Sequence, residues 1–227
     1  MKIIILTIGV LYMATQAKAD FSKNIPKRLV EFTSKPKKPT ITAKDKVALV
    51  IIDAQREYSI GKLKLWEMEK SIKASEKALN IARNYHIPII HIQHKGSETS
   101  ELFRIGTKEM DFIPRLAPVH NEKVIQKSLP NSFAKTDLHN YLTKLGIKKV
   151  IFIGYMTHMC LSSTIRAALD LGYQSFTFVQ TTTTRDLRVK GEVIPAKTIR
   201  DSALAELADR FVTILELRKF EMTLKQK

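Results

Sequence analysis

The chain carries one cysteine, Cys160, in a setting suited to nucleophilic chemistry. It lies in IFIGYMTHMCLSSTIRAALDLGY (151–173), where an apolar β-run at 151–153 ends at Gly154 and helix-forming Ala, Leu and Arg follow from 162 to 171. A thiol at such a strand-to-helix turn faces the positive end of the helix dipole, which lowers its pKa and favours the thiolate. The same turn offers backbone N–H groups to an oxyanion. The competing reading is a buried structural cysteine. A thiol nucleophile also needs a base and a charge partner. Asp53 ends the apolar run in KVALVIIDAQ (46–55), and Lys127 ends a shorter strand in EKVIQKSLPNSF (122–133). Taken singly, Asp53 equally suits a cap for the following segment, and Lys127 one more surface lysine of a basic chain.

The elements around these residues decide whether they can meet. A strand is expected over 46–53, followed by a helix over 67–85 with Met68, Ile72, Ala78, Leu79 and Ala82 as its apolar positions. IPIIHIQH (87–94) and residues 122–127 read as strands, 134–145 as a helix and 148–153 as a strand leading into the Cys160 helix. QSFTFVQT (174–181) is a further strand, PAKTIRDSALAELADR (195–210) a helix and FVTILEL (211–217) the last strand. Apolar strands alternating with helices predict an α/β fold: a three-layer αβα sandwich around a six-stranded parallel, Rossmann-like sheet. In such a sheet the carboxyl ends of the strands open on one crevice, where ligands bind. Asp53, Lys127 and Cys160 all lie at or just past such ends. Residues 95–120 have no clear period and contain Gly96, Gly106, Pro114 and Pro118, which predicts a long loop of the kind that forms lids or binding segments.

Three motifs, VALVIIDAQ, KSLPNSFAKTDL and GYMTHMCLSSTIRAALDLGY, together resemble the isochorismatase-like cysteine hydrolases, which include nicotinamidases, ureidoacrylate amidohydrolases and other small-amide hydrolases. The resemblance covers residues 44–217. TTTTRDLRVKGEVIPAKTIRDSALAEL is similar to one branch of unassigned cysteine hydrolases within that family. The resemblance implies Asp53 as general base, Lys127 as charge partner and Cys160 as nucleophile. It also implies oxyanion donors at the Met156 and Cys160 N–H groups, aimed by a cis peptide bond between Met156 and Thr157. In the implied reaction the thiolate attacks a carbonyl carbon, ammonia or an amine leaves, and water hydrolyses the thioester, with no cofactor.

The expected substrate contacts are Gln55, Phe133, Tyr155 and His158. Gln55 equally suits a turn, Phe133 the core and His158 a helix cap. Arg185 and Asp186 read first as a structural ion pair and then as substrate contacts, and Trp66 as a pocket wall or dimer contact. Nicotinamidases carry an Asp-His-rich metal site beside the triad. The candidates here, His91 and His94, lack the acidic partner and, three apart on a strand, point to opposite faces. Both are therefore expected to be core or hydrogen-bonded histidines, with no metal. That departs from nicotinamidase proper, while Cys160 departs from true isochorismatases, which cleave a vinyl ether without it.

At 227 residues the chain suits one domain after its N-terminal segment. Lys2, the apolar run 3–13 and Ala17-Lys18-Ala19 have the form of a secretory signal peptide over 1–19, cleaved before Asp20. A basic extended leader over 20–44 and a hydrolase domain over 45–227 follow. The apolar run is too short to span a bilayer and no later stretch qualifies, so integral membrane association is not expected. The expected destination is periplasmic or secreted. One cysteine cannot close an intramolecular disulfide in an oxidising compartment, which favours a thiol that is used. The formal net charge is +16, and +14 once Lys2 and Lys18 leave with the signal peptide. No base-stacking aromatic array accompanies this charge, so a solvated basic surface is expected rather than nucleic-acid binding. A small-molecule substrate and a homodimer or homotetramer complete the expectation. The function read from the sequence is a metal-independent cysteine hydrolase cleaving a small amide or related C–N bond. The alternatives are an isochorismatase-type vinyl ether hydrolase, a non-catalytic small-molecule-binding protein of the same fold, or a basic surface-adhering protein.

Overall fold

Six consecutive aliphatic residues, VALVII, form strand β1 (Val47–Ile52), every one of them buried, in a computed structural model that describes residues 25–32, 39–119 and 121–225. A strand covered on both faces shows no polar alternation, which is why the run reads as continuous. The strands that follow are β2 (Ile89–His94), β3 (Lys123–Lys127), β4 (Lys149–Gly154), β5 (Gln174–Phe178), β6 (Leu187–Val189), β7 (Glu192–Ile194) and β8 (Thr213–Leu215). The helices are α1 (Met68–Asn84), α2 (Leu138–Lys144), α3 (Ser162–Asp170), α4 (Ala196–Arg210) and α5 (Leu217–Lys225).

The main sheet runs β3-β2-β1-β4-β5-β8, with all neighbours parallel. Helices α1 and α5 pack on one face through residues such as Ile72, Leu79, Phe220 and Leu224. On the other face α2, α3 and α4 pack through Leu138, Leu142, Ile165, Ala168 and Leu207. The result is the expected three-layer sandwich. Its winding reverses between β1 and β4, so their carboxyl ends flank the crevice where such sheets bind ligands.

Four local features differ from the sequence expectation. The stretch after β5 contains an antiparallel hairpin, β6–β7, turning on Lys190 and Gly191, both with positive φ. Two left-handed residues are what a tight hairpin turn requires, but Lys-Gly is a weaker signal of it than Asn-Gly. The basic C-terminal segment is helix α5, whose Leu217, Phe220 and Leu224 recur at helical spacing beneath an otherwise charged surface. Helix α2 starts later than residue 134 because Asn131–Asp137 turns on its own side chains. There the Phe133 N–H donates to Asn131 Oδ1 (2.9 Å) and Thr136 Oγ1 to the Ser132 carbonyl (2.6 Å). The basic leader is anchored in part: Leu29–Phe32 forms a 3-10 turn whose Leu29 N–H donates to Asp209 Oδ1 of α4 (2.6 Å). The signal-peptide expectation over 1–19 lies outside the described residues.

Gly154 closes β4 against β1 at φ +116, and a Cβ there would fall 2.0 Å from the Ile52 carbonyl oxygen. The position combines a left-handed backbone with a backbone collision. Gly154→Ala is therefore expected to destabilise the fold by more than about 2 kcal/mol in urea or guanidinium unfolding. A loss below about 0.5 kcal/mol would show that the β1–β4 junction tolerates a side chain.

Candidate active site

Each candidate residue reaches the crevice because a strand stops where it does. Asp53 follows β1 in a left-handed conformation (φ 49), its N–H held by the Ile92 carbonyl of β2 (3.0 Å), and is fully buried. Lys127 is the last residue of β3, two strands from β1 and roughly 9–10 Å away at the usual strand spacing. Only a long side chain spans that distance. It does so over the end of β2 and places Nζ 2.7 Å from Asp53 Oδ2, with both side chains fully shielded from solvent. The Lys127 charge and, after it, hydrogen bonding from Lys127 and Cys160 favour the Asp53 carboxylate.

The third residue enters from β4. The Tyr155 N–H still pairs with the Ile52 carbonyl (2.9 Å), and the chain then turns through a cis peptide bond between Tyr155 and Met156. This is one residue earlier than the Met156–Thr157 bond expected from the sequence. Thr157 already opens the helical segment, with its N–H on the Thr183 carbonyl (3.1 Å) and its hydroxyl on Thr182 Oγ1 (2.7 Å), so the reversal falls before Met156. Thr157–Leu161 is one π-helical turn leading into α3, a local widening often found at functional sites. Cys160 on that turn is buried, and its thiol lies within hydrogen-bonding reach of Asp53 and Lys127.

The electrostatics reverse one sequence expectation. Burial, then the Asp53 charge, pushes the Cys160 thiol up to about 12, with Lys127 opposing. Together the two outweigh Lys127 and favour a protonated thiol at rest over the preformed thiolate expected from the helix terminus. Burial also raises the Asp53 carboxyl above its ordinary range, against the pull of Lys127. A carboxylate with raised proton affinity next to a protonated thiol is arranged for general-base chemistry.

The structure separates the remaining expectations. Gln55 is fully buried and its amide is spent on structure: Nε2 donates to the carbonyls of His94 and Met110 (2.8 Å each), and Oε1 accepts the His94 N–H (2.8 Å). These bonds tie the ends of β1 and β2 together. Tyr155 is also fully buried, in the α1-side core against Tyr58 at a ring separation of 5.8 Å, because the residue after Gly154 turns inward. Phe133 stacks on Tyr173 (5.7 Å) at the edge of the cluster that contains Cys160. His158 remains half-buried with Nδ1 2.6 Å from Thr184 Oγ1. Arg185 and Asp186 do not pair as side chains. Arg185 donates to the Asp186 carbonyl (3.1 Å), while the Asp186 carboxylate caps α4 by accepting the Ala196 N–H (2.8 Å). Trp66 supports the Arg200 guanidinium over its ring (4.9 Å).

His91 and His94 take separate partners. His91 Nε2 lies 2.8 Å from Glu122, which also holds Arg83, while His94 Nδ1 lies 3.3 Å from Lys127 Nζ. Sequence reasoning missed Tyr58, whose hydroxyl is raised well above its usual range by burial, then by Asp53 and Cys160. It also missed Phe103, edge-on to Tyr58 (5.2 Å) and 5.0 Å from the His94 ring. Tyr58 ends a short 3-10 turn (Arg56–Tyr58) and Phe103 lies in a loop, neither with a periodicity to mark it.

A parallel sheet wound in this order, with a buried carboxylate, lysine and cysteine at its carboxyl edge, belongs to the isochorismatase-like α/β hydrolases. The chain is a member of the isochorismatase family, matching the isochorismatase domain over residues 47–218. It is 37% identical over 176 residues to the secreted isochorismatase effector Isc1 of Verticillium dahliae, covering 78% of this chain and 90% of that protein. A crystal structure of an isochorismatase from Pseudomonas putida KT2440 superposes with a TM-score of 0.81 at 35% identity, over 86% of this chain and 99% of that one. Nicotinamidase 3 of Arabidopsis thaliana is 24% identical over 191 residues, covering 78% of this chain and 88% of the plant protein.

A thiol pushed up to about 12 should react slowly. Iodoacetamide alkylation of Cys160 is expected to be slower at pH 7 than that of a free thiol, whose pKa is about 8.5, and to keep rising above pH 9. A rate that levels off below pH 8 would show a preformed thiolate instead.

Proposed function

We propose that the protein is a cysteine hydrolase that opens a small-molecule amide or related C–N bond through a Cys160 thioester. The observation that carries this reading is the buried cluster of a carboxylate, an ammonium and a thiol drawn from the ends of three strands. Because the resting thiol is protonated, proton transfer to Asp53 accompanies attack on the carbonyl carbon. Lys127 balances the charge as sulfur becomes anionic. The oxyanion donors are the N–H groups of Met156 and Cys160, interleaved with those of Tyr155, Thr157, Met159 and Leu161, which already hold backbone carbonyls. Asp53 then returns its proton to the departing nitrogen and activates the water that clears the thioester. The relative named nicotinamidase supports amide chemistry. The relative named isochorismatase effector favours a second reading, hydrolysis of a vinyl ether at the same crevice.

An assay of small amides, ureides and lactams for released ammonia or amine separates the two. Cys160→Ala is expected to abolish turnover, and Asp53→Asn to lower kcat by about 10²–10⁴-fold. The double variant should be no worse than Cys160→Ala alone, because the residues act as a unit. Wild-type turnover by Cys160→Ala would remove cysteine catalysis and leave water activated by Asp53.

Export belongs to the same proposal. The Lys2, 3–13 and Ala17-Lys18-Ala19 pattern supports it, as does the relative named as secreted. Among the described residues no helix is long and apolar enough to cross a membrane. Expressed with its leader in a bacterium, the mature protein is expected to begin at Asp20 outside the cytoplasm. N-terminal sequencing that finds Met1 on a cytosolic product would refute this.

A further inference from the structure

We infer that His94 is the positioning residue of this site: its Nδ1 accepts a hydrogen bond from Lys127 and fixes where the ammonium aims between Asp53 and Cys160. The inference rests on the Asp53–Lys127–Cys160 reading above. His94 and Lys127 are register partners at the ends of β2 and β3, so their side chains leave the sheet side by side. Lys127 Nζ has Asp53 Oδ2 at 2.7 Å and His94 Nδ1 at 3.3 Å. Nδ1 is thus an acceptor for this ammonium beside the Asp53 carboxylate. Of the three N–H groups of a lysine, one is tied to the ring, one faces the carboxylate and the third is left for the sulfur.

The ring can do this only while neutral, with the proton on Nε2, since imidazolium has no acceptor and would set a second cation against Lys127. Burial, then the Lys127 charge, holds His94 down to about 4, in keeping with that state. The ring is itself held in place. Gln55 ties both backbone polar groups of His94 (2.8 Å each), and Phe103 packs at 5.0 Å. Support of this kind is what a preorganised site needs behind the reacting groups.

Two measurements that do not use turnover test the inference, so it can fail while the hydrolase reading stands, and the reverse. Nitrogen-15 NMR of histidine-labelled protein at pH 7 should show His94 as the neutral Nε2–H tautomer. An Nδ1–H tautomer, or titration near the ordinary value of about 6.5, would overturn the assignment. His94→Leu should slow Cys160 alkylation at pH 9 by about tenfold, because the freed ammonium settles on Asp53 and the thiolate loses its cation. His94→Asn, whose Oδ1 occupies the place of Nδ1, should stay within about twofold of wild type. A merely structural role would show equal slowing in both variants, or none in either, and each of those results contradicts the inference. If His94→Leu fails to fold, the NMR measurement on the unaltered protein still decides.

Discussion

The buried ion pair between Asp53 and Lys127 is the constraint around which the crevice is built. Its two side chains have no solvent exposure and stand 2.7 Å apart. Withdrawing two charges from water costs several kcal/mol each, and an apolar pair of similar volume is often as stable or more so. Stability alone therefore gives no reason for the pair. Once present, it binds the fold to itself, because losing one partner strands the other and costs about 3–5 kcal/mol. Its geometry requires β3 to end at Lys127 and β1 to release Asp53 into a left-handed residue. β2 must also stop short enough for the lysine to pass over it.

The surrounding structure keeps the pair dry and aimed. Gly154 lets β4 approach β1 so closely that Cys160 can follow two turns of chain later, against the carboxylate. Gln55 fastens β1 to β2 and to the segment at Met110. The buried Glu57 carboxylate gathers the loops on either side by accepting the N–H groups of Lys62 (2.7 Å), Leu63 (3.2 Å) and Phe103 (3.4 Å). Phe103 then completes an aromatic line from Tyr155 through Tyr58 to His94. Excluding water in this way strengthens every charge interaction inside. The same burial favours a protonated thiol: the dielectric that makes Lys127 effective also penalises an unprovoked thiolate.

How much of this was readable in the chain depends on whether a signal is local. The strands were readable because VALVII and VIFIG are long apolar runs, and alternation with helices determines a parallel sheet. Asp53, Lys127 and Cys160 were readable as reactive side-chain types at or just past strand ends. The burial of Gln55 and Tyr155 was not readable, because extended-chain periodicity stops at the strand end, where the backbone turns at Asp53 and after Gly154. Helix α5 was hidden by its charges, and the β6–β7 turn by its Lys-Gly sequence. The pairing of His94 with Lys127 depends on register between β2 and β3, which no single segment encodes.

The account requires a covalent stage on sulfur, and intact-protein mass spectrometry during turnover of a slow amide measures it directly. The predicted result is a transient mass increase equal to the acyl portion of the substrate, located on Cys160 and absent from Cys160→Ala. Sustained product release by the wild-type protein with no adduct, matched by an unimpaired Cys160→Ala variant, would contradict it.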